Sequence, residues 1–451
     1  MPRRLRAIVA ISLGIALVVI DGSIANVALP TIARDLGVSG SAAVLVVTVY
    51  QLVLVMTLLP CSALGERMGH RTLYQYGLLL FTAATILCFF ARSLPFLLIV
   101  RIAQALGAAA ALSVSMAMIR SIYPASQLGR GLGFNSVIVG SANAVAPTLG
   151  GLILGVAPWP WVFAAAAPFG VVSLLLARAL PAPKPRDQPY DVLGAVLCAS
   201  TFGLVVSGLE SGVHGNSPVI SGALVLTGLV IGRNFVKREL SASSPMLPLD
   251  LLAVPAVGFA AAGAFAAFMG TMTLIVMIPF QLQNDFGFSP SEVGTIFAVW
   301  PLTALVLAPV AGMLSDRFSV ATLCLTGSSV AIVGMLSVAF MPAGAAEWDI
   351  AWRFILCGGG FALFAAPNMR SIIGAAPVHR SAAAGGLVAT SRQLGQTLGA
   401  TAGAILLAFD FGAGPLPGIV AAALMAFALL TAIGRLRLKA RSGPAPDMPP
   451  V

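Results

Sequence analysis

Five charged side chains lie deep inside long apolar runs, and any chemistry must be sought there first. Asp21 is the one acid well within such a run, whereas Glu210 and Asp410 sit at run ends; the basic ones are Arg101, Arg353, Arg370 and Arg392. A carboxylate sunk in hydrocarbon is costly unless it is paired, hydrated or protonated. Asp21 is therefore either a proton carrier or a structural ion pair that never titrates. It lies about 12 Å, roughly eight residues, from the outer end of its run. Arg101 has a similar depth. A guanidinium nearby favours the ionised carboxyl and its withdrawal favours the protonated one, which is the physics of a reversible proton site.

Arg392 and Gln396 are four residues apart and share a helix face with Gly395, Gly399 and Gly403. Glycines at that spacing let two helices approach closely. Arg392 on such a face is either a cavity residue or a clamp on the neighbouring helix. Its charge suits an anionic or neutral polar substrate better than a purely cationic one. Asn26, Tyr50, Gln51, Gln104, Asn143, Asn368 and Gln393 are further polar groups inside apolar runs. They line a cavity or bond neighbouring helices.

Other chemistries lack their residues. The cysteines (Cys61, Cys88, Cys198, Cys324, Cys357) form no CxxC pair, and His70, His214 and His379 are loop residues without ligand spacing. Neither a disulfide framework nor a metal site is expected, and no cofactor. No GxxxxGK[ST] occurs, which argues against ATP hydrolysis by that route. No cluster of His or acids marks a membrane enzyme, so the expectation is a non-enzyme.

The elements that must hold these groups follow from composition. Of 451 residues, 59% are hydrophobic and 9% charged, against about 25% charged in soluble proteins. Such a chain cannot cover a water-facing surface, which excludes a soluble enzyme, a disordered protein and a secreted disulfide scaffold. It is an all-α integral membrane protein. Runs close to the 20 residues that cross a bilayer fall at about 7–29, 41–63, 72–90, 95–119, 130–156, 159–180, 191–210, 217–235, 254–280, 290–314, 320–341, 349–374, 380–407 and 415–435. With both termini in the cytoplasm, these fourteen spans place nineteen Lys and Arg on inward segments and two, Arg34 and Arg92, on outward loops. The net charge of +10 thus faces anionic lipid, and no nucleic acid is expected. Trp159 and Trp161, at a span boundary, read as interfacial anchors.

The chain repeats itself at an offset of eight spans. LGERMGHR (Leu64 to Arg71) returns as MLSDRFS (Met313 to Ser319), Arg101 with Gly107 as Arg353 with Gly359, and Thr148-Leu149-Gly150-Gly151 as Thr397-Leu398-Gly399-Ala400. Two six-helix halves result, 1–180 and 254–451, with a linker and inserted helix pair at 181–253. Duplicated halves typify secondary transporters, whose substrate site lies near the midplane between them.

These residues carry a resemblance. DGSIANVALP (Asp21 to Pro30), SALGERMGHR (Ser62 to Arg71), RIAQALGAA (Arg101 to Ala109), and Gly133 followed by APTLGG (Ala146 to Gly151) resemble, in order, motifs of the major facilitator superfamily. SPMLPLDLL (Ser244 to Leu252) and ATSRQLGQTLGA (Ala389 to Ala400) are similar to its fourteen-span drug:proton antiporter family. Ser62, Glu66, His70, Ala105, Ala142 and Ala146 depart from the usual residues. The resemblance implies the major facilitator fold, with helices one and four adjacent so that Asp21 and Arg101 approach. It implies that Pro147, Gly150 and Gly151, with Gly133, seal the cavity. Glu66, Arg67, Gly69 and Arg71, with Asp316 and Arg317, then latch the cytoplasmic face in one state.

The expected function is proton-coupled export of small lipophilic compounds by alternating access, from a bacterial inner membrane and as a monomer. The alternatives are a dedicated exporter of one metabolite or antibiotic, or a proton-independent facilitator.

Overall fold

Inside hydrocarbon every backbone N–H and C=O needs an internal partner, which a helix supplies within its own segment. The computed structural model describes residues 3–123, 128–181, 190–213, 217–241, 247, 249–375 and 381–441. Among the described residues the secondary structure is helical throughout. The first half holds α1 (Arg3–Leu36), α2 (Gly40–Met68), α3 (His70–Cys88), α4 (Leu94–Ile122) and α5 (Leu128–Val156). Its sixth stretch is broken into α6 (Pro160–Ala164) and α7 (Ala167–Leu176). The inserted pair is α8 (Val192–Val213) and α9 (Pro218–Ser241). The second half holds α10 (Pro255–Phe280), α11 (Pro290–Arg317), α12 (Val320–Ala339), α13 (Glu347–Ala375), α14 (Ser381–Ala408) and α15 (Leu416–Arg441).

Among the described residues, twelve stretches are long and apolar enough to cross a membrane by length and composition. Two expected spans, α3 and α14, fall outside that set. Each carries polar residues, HRTLYQYG in α3 and TSRQLGQT in α14. The break between α6 and α7 has a covalent cause. Pro168 has no N–H and its ring clashes with the carbonyl four residues back, that of Ala164, where α6 ends. Trp159, expected at the interface, is instead buried edge-on against Phe163; Trp161 is exposed and packs edge-on to Phe89.

Packing reproduces the internal repeat. α3 lies along α4, and α12 lies along α13 in the same manner. Gly107 sits on the backbone of Gly77 and Phe81, and its counterpart on α13 is Gly360, seated on Gly327 and Ala331 of α12, not the expected Gly359. α8 and α9 pair with each other, and α8 leans on α2 and α14. The most apolar stretch of α9 is 11% buried against 72% for that of α10, so α9 is peripheral and α10 central.

The two halves meet toward the end of the bundle remote from the chain termini, here the far face. There α5 crosses α11, α2 meets α14, and α1 touches α10. Gly151 and Gly294 abut through their backbones, Gly40 lies against Phe280 and Leu407, and Gln283 donates to the Val27 carbonyl at 3.2 Å. Arg34 also reaches Gln283, at 3.2 Å. The contacts reach mid-bundle at Gly140 against Leu305 and at the Gln393–Gln51 hydrogen bond.

Candidate functional site

Asp21 lies near the middle of α1, 1% exposed, and Arg101 lies on α4, 0% exposed. One Asp21 carboxylate oxygen accepts from Arg101 Nη1 at 2.6 Å, the other from Gln104 Nε2 at 2.8 Å. Arg101 Nη1 also donates to Gln104 Oε1 at 2.7 Å, and Arg101 Nε donates to the Val46 carbonyl of α2 at 3.2 Å. Gln104 donates in turn to Thr85 Oγ1 at 2.9 Å. The guanidinium carbon sits 4.2 Å from the Tyr50 ring centre and 5.2 Å from that of Phe163, within cation–π range. Arg101 Nη2 and the Tyr50 hydroxyl are buried without a hydrogen-bond partner among the described residues.

A buried ion pair of this kind tolerates desolvation only while each charge keeps its partner. Moving α1 relative to α4 would strand a carboxylate in low dielectric, and protonation is the inexpensive relief. Among the described residues the second half has no equivalent. Arg353, the repeat of Arg101, bonds Asp349 of its own helix at 3.0 Å and the Ser337 carbonyl of α12.

The polar groups named from sequence divide by what they touch. Gln51 and Gln393 are buried and bond to each other across the halves. Asn143 accepts from Ser23 at 2.6 Å, tying α5 to α1, and Asn368 donates to the Ala260 carbonyl at 2.8 Å, tying α13 to α10. Asn26 turns back on the Gly22 and Ser23 carbonyls of α1. Gln104 and Tyr50 belong to the Asp21 cluster. Arg392 is exposed and Gln396 partly so. Partly exposed residues recur along one stripe of α1 (Ser12, Ala16, Val19, Ser23) and of α10 (Ala262, Phe265, Met269). These stripes lie on helices packed among others, so they border an internal space on the termini side of the far-face contacts.

Gly151 meets Gly294 and Pro290 of α11, Gly150 meets Ile24 of α1, and the Pro147 carbonyl lies against Gly294. Gly133 falls on α5 where side-chain surroundings lie outside the described residues, as do His214 and His379 altogether. Gly69 turns the chain from α2 into α3 at φ +89°, a backbone conformation that favours glycine. Glu66 lies 3.3 Å from His70, while Arg67 is exposed and Arg71 partly so. Asp316 pairs with Arg370 of α13, which also donates to Ser315 at 2.7 Å; Arg317 is exposed beside them. Thr85, Val46 and Phe163 were not singled out from sequence. A threonine, a carbonyl and a buried phenylalanine carry no pattern that marks them as support for an ion pair.

The family profile described as Major Facilitator Superfamily matches residues 11–232 and 260–449. The chain is 40% identical, over 94% of both sequences, to an uncharacterised transporter of Escherichia coli (strain K12), YebQ. It is 29% identical to the riboflavin transporter RibZ of Clostridioides difficile (strain 630), covering 87% of this chain and 86% of that one. It is also 29% identical to the multidrug resistance protein Stp of Mycobacterium tuberculosis (strain ATCC 25618 / H37Rv), covering 90% and 76%. Among solved structures, a bacterial homologue of the human lysosomal transporter Spinster, inward-facing and occupied, shares the fold at TM-score 0.69 and 18% identity, covering 99% of this chain and 100% of that one. A multi-pass membrane protein with a duplicated helical bundle and a profile match over nearly its full length, the chain belongs to the Major Facilitator Superfamily of transporters.

Proposed function

We propose that this transporter is a fourteen-span drug:proton antiporter that exports small lipophilic compounds by alternating access. The carrying observation is the sequestered Asp21 carboxylate, held by Arg101 and Gln104 between two interior helices. In this reading both termini are cytoplasmic, the membrane is the bacterial inner membrane, and the far face is external. The closed far face then corresponds to an inward-facing state with Asp21 ionised and its proton already released. Substrate enters from the cytoplasm into the space bordered by α1, α10 and α14. Rocking of 1–180 against 254–451, with 181–253 as the inserted pair, opens the far face and separates Arg101 from Asp21. Asp21 then takes a proton from outside, and the return stroke delivers it inside. Glu66 and Arg71 on one side, with Asp316 and Arg317 on the other, close the cytoplasmic face in the opposite state.

Inward proton movement supplies about 2.3 kcal/mol per charge per 100 mV of membrane potential. Resistance proteins among the relatives support the drug-export reading. A riboflavin transporter at the same identity favours a second one, a carrier dedicated to a single metabolite. A drug-susceptibility panel in a host lacking its own exporters separates them. Protection against several unrelated lipophilic compounds is expected, and protection confined to one class would favour the dedicated carrier. Inverted vesicles should also release stored protons on addition of a protective compound; their failure to do so would remove the coupling.

A further inference from the structure

From 384 to 408 the only exposed residue of α14 is Arg392, and it makes no side-chain hydrogen bond or ion pair among the described residues. Its depth is about 16 Å from the termini end of the helix, eleven residues at 1.5 Å each. An isolated guanidinium at that depth is costly unless water or an opposite charge reaches it. The surroundings say where the opening lies. One turn further along, Gly395 and Gly399 press on the backbone of α10 at Phe265 and Met269. Beside Arg392, Gln393 closes the seam with Gln51. Arg392 thus occupies the apex of the internal space, where the halves part toward the termini.

Among the described residues no acid supplies its counter-charge. Asp21, the mid-span acid, is taken by Arg101. Gln396, one turn away on the same face, is partly exposed and also has no side-chain partner among the described residues. Next to Gly395 stand Phe268 and Phe361, edge to face at 5.1 Å and both partly exposed. A fixed cation, an amide and an aromatic wall within one or two helical turns form a receptor for one chemical class. We infer that Arg392 and Gln396 bind the anionic head of an amphipathic substrate, a carboxylate or sulfonate, whose apolar body rests on Phe268 and Phe361. The inference deepens the export reading by naming the substrate class. One such monoanion leaving against one entering proton carries two charges in the same electrical sense, so turnover is electrogenic.

The test is equilibrium binding to the purified full-length protein in detergent, at fixed pH and without any gradient, corrected against empty micelles. The probes are anilinonaphthalene sulfonate and its neutral parent phenylnaphthylamine, which lacks only the sulfonate. The wild type should bind the sulfonate more tightly. Arg392→Gln should weaken the sulfonate about tenfold or more, as charge-assisted hydrogen bonds do, and leave the neutral parent unchanged. Arg392→Lys should keep part of the preference. Arg392 makes no hydrogen bond or ion pair to a neighbouring helix among the described residues, so its replacement breaks none there. Absence of sulfonate binding by the wild type, or an equal preference in wild type and Arg392→Gln, would overturn the inference. Because no proton gradient enters the assay, that failure is distinct from a failure of proton coupling.

Discussion

Replacing Gly151 with alanine should force the far face open. A Cβ at Gly151 would lie 2.7 Å from the Pro290 carbonyl and 2.9 Å from Gly294 Cα, and one at Gly294 would lie 2.5 Å from the Pro147 carbonyl. All three obstacles are backbone, so no side-chain rotation relieves them. Overpacking of this kind costs about 1–3 kcal/mol, borne only by the state in which α5 and α11 touch. The closed-to-open ratio should fall roughly 5- to 150-fold. Spin labels at Ser93→Cys and Glu347→Cys, exposed near the far ends of α4 and α13, would report the distance. Four native cysteines are buried and Cys61 is partly so, which limits background labelling. Gly151→Ala should lengthen the distribution, and adding Gly294→Ala should lengthen it by less than the sum, since both touch the same contact. Unchanged distances in both variants would refute the claim that this backbone seam sets the far-face equilibrium.

Three further outcomes follow from contacts already described. Gln51→Leu leaves the Gln393 amide without its partner, at about 1–3 kcal/mol, so it should open the far-face distance. Gln51→Leu with Gln393→Leu should restore it in part. Arg101→Gln leaves a buried carboxylate unpaired, at about 3–5 kcal/mol. It should lower the melting temperature in detergent, and Asp21→Asn on that background should recover most of the loss. Asp191, at the head of α8, accepts from Arg238 of α9 at 2.8 Å, and that hydrogen bond holds its carboxyl below the usual carboxylate range. Its folded value is depressed, so its stabilisation is complete above the unfolded value of about 3.9 and fades as pH falls through the folded one. For so exposed a pair the contribution is about 1 kcal/mol or less. Wild-type and Asp191→Asn melts should differ slightly at neutral pH and converge in acid.

What could be read from sequence was the part governed by local physics. Isolated charges in apolar runs are rare enough that Asp21 and Arg101 stood out before any fold was known, and the structure brings them within 2.6 Å. Fourteen runs and their repeat gave the helices, because continuous apolar runs near 20 residues fit a spanning helix and not the short alternating strands of a barrel. Span ends were less legible: α1 continues to Leu36, past the expected 29, since apolar residues continue to Leu36 around the lone Arg34 and Asp35. The split at Pro168 was legible in principle but masked by an otherwise apolar run. Cross-half contacts were not legible at all. Gln51 and Gln393 are 342 residues apart, and no periodicity links them. Asp316 had a visible neighbour in Arg317, yet it pairs with Arg370 of another helix. Arg392 was identified as cavity residue or clamp, and only its exposure on an interior helix separates the two.

The most direct test of the account is transport by Asp21→Asn in proteoliposomes under an imposed pH gradient. The substitution keeps the side chain's size and one acceptor oxygen for Arg101 or Gln104 while removing the charge and the titrating group. Gradient-driven accumulation of a protective compound should vanish, while exchange of labelled for unlabelled compound at equal pH should persist. Accumulation by Asp21→Asn at the wild-type rate would contradict the assignment of the proton to this carboxylate.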